Sequence, residues 1–176
     1  MDLPALLFIS IACGATVKFA DSFADSGKKG VLGIAAGLAY GIMIGYLATT
    51  AGAMEIFIAA VLASAFAGKI DKKEHFTGVL ALFFYLFAAS MFVKGIQIEN
   101  IGLLVAFLAA AYIDEARPIK GHRGVLDIAA ILAGIAGFGW DSAMFIIAFD
   151  IGYLAMSALY PEKKPAKPPK RARKRG

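Results

Sequence analysis

Cysteine and histidine are close to absent from this chain, and proline is missing from the interior of its apolar runs; each scarcity closes off a class of protein. A single cysteine, Cys13, excludes an internal disulfide and any cysteine-based metal centre; set in an apolar run, it reads as a buried small residue. His75 and His122 fall in short polar connections with no ligand-like partner spacing, so both read as solvated loop residues. Before the C-terminal tail the only prolines are Pro4 and Pro118, at the ends of apolar runs rather than inside them, so nothing kinks those runs. No Walker A, HExxH, nucleophile-elbow or haem-attachment pattern occurs. The last apolar run has no lysine, which counts against a retinal Schiff base.

Charge is also scarce, and it is crowded into a few short segments. Of the 176 residues 60% are hydrophobic and 18% charged, with a mean hydropathy of +0.72. A soluble domain does not leave so much of its length in uninterrupted apolar blocks. The composition predicts an all-α integral membrane protein of the cell (plasma) membrane, because only helices and closed barrels satisfy their backbone in lipid. Apolar spans are expected at 3–20, 30–48, 52–68, 76–94, 99–115, 124–140 and 142–160. The connections at 18–29, 69–75 and 115–123, with the tail from 161, hold every lysine and arginine except Lys94. The positive-inside rule then sets the N-terminus outside and the C-terminus in the cytoplasm. Tyr46 and Trp140 would sit in the outer aromatic belt.

Within this frame there is a duplication. GKKGVLGIAAGLAYGIMIGY, from residue 27, recurs 94 positions later as GHRGVLDIAAILAGIAGFGW, with ten of twenty positions identical. Chance in this composition gives roughly two. Both copies begin on the lysine- and arginine-rich side, so an even number of crossings separates them. The arrangement that satisfies this is 3+1+3: repeat one at about 3–68, a linker helix at about 76–94, and repeat two at about 99–160 in the same orientation. This order is similar to that of the SWEET sugar transporters in helix count, orientation and parallel duplication, a likeness that implies solute transport. The family's Pro-Gln pairs are absent here. Within the first copy Gly33, Gly37, Gly41 and Gly45 recur every fourth residue, a helix-packing face that admits close backbone approach. Residues 161–176 carry eight cations and four prolines and are expected to be a disordered basic tail against anionic lipid headgroups. No specific nucleic-acid partner is expected, and a homo-oligomer stays open.

The acidic residues carry the functional expectations. Asp150 lies ten residues from the inner end of the last span, about 15 Å deep, where an ionised carboxylate is costly and usually functional. With Asp127 and Asp114 it forms a candidate translocation ladder for a small cation or a proton-coupled small solute. Glu55 and Asp141 mark the outer hairpins as solvated interfacial acids. On the inner face Asp21 and Asp25, at i and i+4, precede the GKKG turn, while Asp114 precedes GHRG. Asp21, Asp25, Asp114 and Asp127 are therefore candidate ligands for Mg²⁺, and Lys28, Lys29, Lys120 and Arg123 candidate phosphate-binding residues at helix starts. This set suits the alternative reading, a cytoplasmic-face enzyme or carrier acting on a phosphate-bearing lipid. Asp114-Glu115-Ala116-Arg117 followed by Gly124 and Asp127 is similar to part of the CDP-alcohol phosphotransferase signature, but the first acid, the Asp-Gly pair and the final Asp of that signature are missing. A third reading is an accessory membrane subunit. Transport is preferred over an enzyme, since no catalytic motif is present.

Overall fold

The computed structural model describes residues 2–26, 30–50, 52–92, 98–116 and 124–160. Within them the chain forms seven helices and no strand: α1 (Leu3–Ser26), α2 (Val31–Thr50), α3 (Met54–Phe66), α4 (Lys73–Phe92), α5 (Ile101–Ala116), α6 (Gly124–Ile135) and α7 (Asp141–Leu159). Each coincides with one of the apolar runs, where no internal proline removes a backbone donor. Four of them, α1, α2, α4 and α7, are long and apolar enough to cross a membrane, as expected of a helical membrane protein.

Three boundaries differ from the expected spans, each for a local reason. α1 continues through Asp21 to Ser26 instead of stopping at residue 20, which brings that carboxylate into the helix body. α3 has 13 residues and α6 has 12, so they rise only about 20 and 18 Å, short of a ~30 Å hydrocarbon core. The expected span 124–140 ends early because Gly137 and Gly139 have φ of +91° and +90°. At that end Phe138 N–H donates to the Ala133 carbonyl at 3.0 Å and Gly137 N–H to Gly134 at 3.1 Å, the paired pattern that closes a helix on a left-handed glycine. Composition alone sees only apolar residues there.

The helices associate as three parallel pairs. In the first, α1 lies along α7: Ser10 Oγ donates to the Phe145 carbonyl at 2.6 Å, and a Cβ on Gly14 or Gly152 would overlap the backbone of Phe149 or Ile11. In the second, α2 lies along α4 with Gly33 and Gly37 against Glu74, Gly41 against Gly78, and Gly45 against the Tyr85 ring. Side chains at Gly37 or Gly41 would run into α4 backbone. The third is α3 on α5, joined by Glu55 at one end and Ser64 at the other. α1 also crosses α2, where the Cys13 thiol reaches the Tyr40 carbonyl at 3.8 Å. Close approach at glycines and interhelical hydrogen bonds are the two forces available where the solvent is itself apolar. Phe107, Phe145, Leu47, Ile56, Leu82 and Leu126 fill the centre, while α4 turns Phe83, Phe84 and Phe87 outward.

Candidate functional site: a cavity between the helix pairs

The extension of α1 decides the site. It carries Asp21 past the end of the apolar run and into contact with α4 and α7. Asp21 Oδ2 accepts a hydrogen bond from the Tyr153 hydroxyl at 2.7 Å, and Asp21 Oδ1 meets His75 Nε2 at 3.2 Å. On the other side of the imidazole, Tyr40 Oη lies 3.3 Å from His75 Nδ1 and 3.3 Å from the His75 backbone carbonyl. Gly78 permits this, since a Cβ there would overlap the Tyr40 ring. Lys18, one turn before Asp21, is 3% exposed and places its ammonium 5.2 Å from the centre of the Tyr153 ring, within cation–π range.

The Tyr40–His75–Asp21 chain holds together in both protonation states of the imidazole. When His75 is neutral with the proton on Nε2, that N–H donates to Asp21 and Nδ1 accepts from the Tyr40 hydroxyl. After a proton adds at Nδ1, that N–H donates to Tyr40 Oη, and the hydroxyl turns to the His75 carbonyl. A proton can therefore arrive or leave without stranding a donor. His75, read from sequence as a solvated loop residue, is instead the third residue of α4 with a side chain 19% exposed. Its helical position follows from the short Gly68–Lys72 turn, which brings the start of α4 back over α1.

These groups form one wall of a cavity of about 500 Å³. That volume lies within the range of small-molecule sites, roughly 300–1,000 Å³. Its mouth is at the α3–α4 turn, where Lys69 forms an ion pair with Glu115 and Lys72 lies 3.4 Å from Asp71. Ser64 Oγ also donates to Glu115, at 3.2 Å. The inner end is apolar and shut: Ile44, Phe57, Ile146 and Phe149 line it and are each at most 6% exposed. Beyond them Leu47, Ala48, Ala53, Ala143 and Phe145 are buried as well.

The other expected site residues lie elsewhere. Asp114 is buried, and its two oxygens accept from the backbone N–H groups of Val125 and Leu126, at 3.1 and 2.8 Å; it caps α6. Glu55, expected to be solvated, is buried and caps α5 through the N–H groups of Glu99 and Asn100. Asp127 sits in the first turn of α6 and Asp150 in α7; both are half-buried and neither lines the cavity. Among the described residues no three His, Cys, Asp or Glu side chains converge as metal ligands do. Lys28, Lys29, Lys120, Arg123 and the tail from 161 lie outside the described residues, as does the side chain of Asp25.

No known protein family, curated protein or solved structure matches this chain. The site is therefore read from its own chemistry. Sequence reasoning found Asp21 by its i, i+4 spacing with Asp25. It missed His75, Tyr40, Tyr153, Lys69 and Glu115, which come from five different segments and share no local pattern.

Proposed function

We propose that the protein is a multi-pass transporter of the cell membrane, moving a small solute in exchange for protons by alternating access. α1–α3 and α5–α7 act as two three-helix units with the same orientation, α4 links them, and the cavity between them is the solute site facing the cytoplasm. α3 and α6, short as they are, complete their crossings with the adjoining turns in a locally thinned bilayer.

The observation that carries this reading is a blind cavity with a titratable pair in its wall. A channel needs a continuous path, whereas a carrier in one of its two states has one closed end; here Ile44, Phe57, Ile146 and Phe149 close it. Val17, Asp21, Tyr40 and Phe57 reach the cavity from the first unit, and Glu115, Phe149 and Tyr153 from the second. The pairings support the duplication: exchanging α1 with α5 and α3 with α7 turns the α1–α7 contact into α5–α3. The same exchange, with α2 swapped for α6, relates α1–α2 to α5–α6 and α2–α3 to α6–α7. Sites at the interface of such units are the rule in repeat-built transporters. In this mechanism Asp21 and His75 hold the proton, taking the central role that the sequence assigned to Asp150.

The test is solute-driven proton movement in proteoliposomes with a trapped pH-sensitive dye, screened over amines, sugars and carboxylates. At least one class is expected to move protons, and Asp21→Asn to remove that flux while Asp150→Asn keeps most of it. A folded, correctly inserted protein that moves protons with none of the classes contradicts the proposal.

A further inference from the structure

Resting on the transport reading, the mouth and the floor of the cavity together name a solute class. We infer that it takes a large apolar amino acid, its ammonium and carboxylate groups set across the Lys69–Glu115 ion pair and its side chain on the apolar floor. The first reason is that both signs of charge stand at one place. Among the described residues of the mouth each cation has an anion beside it, Lys69 with Glu115 and Lys72 with Asp71. A solute of one sign meets no excess of the other there. A zwitterion is matched: its carboxylate takes the Lys69 ammonium and its own ammonium takes Glu115. One ion pair becomes two, with the net charge of the site unchanged.

The second reason is that this pair opens at small cost. The Lys69 side chain is half-exposed, whereas that of Glu115 is 10% exposed and is also held by Ser64 Oγ at 3.2 Å. The acid is thus fixed in the wall, and the lysine is the partner free to turn. An ion pair with one side in water contributes little to stability, so its ammonium moves to a second carboxylate cheaply. Glu115 keeps its protein partners, since a carboxylate has about four lone-pair positions and the solute needs one. Nothing is asked of Asp21, whose oxygens stay with the Tyr153 hydroxyl and His75. The third reason is the lining between mouth and floor. Ser64, Val61 and Phe57 all face the cavity from one side of α3, and Phe57 lies about 10 Å along the helix from Ser64. Ile44, Ile146 and Phe149 complete the floor. With its charged head at Ser64, an aromatic or long aliphatic side chain reaches that floor, and a small one does not. A sugar would leave hydroxyls unpaired against Val61, Phe57 and Phe149, which is costly.

The test is calorimetric titration of the purified full chain in detergent, at neutral pH, with three probes that share one ring: L-phenylalanine, phenethylamine and 3-phenylpropionate. L-phenylalanine is expected to bind at least tenfold more tightly than either singly charged probe, and glycine at least tenfold more weakly than L-phenylalanine. That comparison needs no variant. Lys69→Gln is expected to weaken L-phenylalanine at least fivefold without weakening phenethylamine. Glu115→Gln, which still accepts from Ser64, is expected to weaken L-phenylalanine at least fivefold without weakening 3-phenylpropionate. A singly charged probe that matches L-phenylalanine, or a folded protein that binds none of the three, overturns the inference. Proton flux driven by other solutes, with no L-phenylalanine binding, overturns it while leaving the transporter reading intact. Preferred binding of L-phenylalanine with no proton flux upholds the ligand class and contradicts the transporter reading.

Discussion

At the scale of single residues, the glycines decide how near the helices stand. Gly33, Gly37, Gly41 and Gly45 were legible in the sequence because they repeat every fourth residue, and their common face meets α4. Gly14, Gly78 and Gly152 were not, since a lone glycine in an apolar run has no pattern to announce it. Yet Gly14 and Gly152 hold α1 against α7, and Gly78 admits the Tyr40 ring, whose hydroxyl lies 3.3 Å from His75 Nδ1. Gly152→Ala places a methyl group into the Ile11 carbonyl, where backbone must shift. The expected cost is about 1–3 kcal/mol, the usual range for overpacking. Equilibrium unfolding in mixed micelles measures it, and a change under 0.5 kcal/mol contradicts the contact.

At the scale of elements, the acids divide by what their helices require. Asp114 and Glu55 looked like members of a functional ladder or a solvated rim, but each is spent on the free N–H groups at the start of a neighbouring helix. Sequence shows an acid near a helix start; it does not show which start a distant acid will reach, as with Glu55 and α5. Asp114→Ala is expected to destabilise the protein by about 1–2 kcal/mol, the cost of a lost cap. Solute-driven proton flux per folded molecule should stay within twofold of wild type. A large loss of flux with unchanged stability would return Asp114 to the translocation path. The helix ends were the least legible features, because Gly68 and Gly137 stop α3 and α6 through a left-handed backbone that hydropathy does not register.

At the scale of the whole molecule, each apolar run became a helix, in the expected order, among the described residues. The cavity was beyond reach, because its wall is assembled from α1, α2, α3, α4, α5 and α7 and depends on the interhelical register. The central claim is that this space opens only toward the cytoplasm while its far end is shut. Val61 lines the cavity on α3, and the native Cys13 is wholly buried, so Val61→Cys supplies a single reactive thiol. Its labelling by a membrane-impermeant thiol reagent in inside-out and right-side-out vesicles measures the claim directly. Rapid labelling in inside-out vesicles and slow labelling in right-side-out ones is the result this account predicts. Equal labelling from both sides, or faster labelling in right-side-out vesicles, contradicts it.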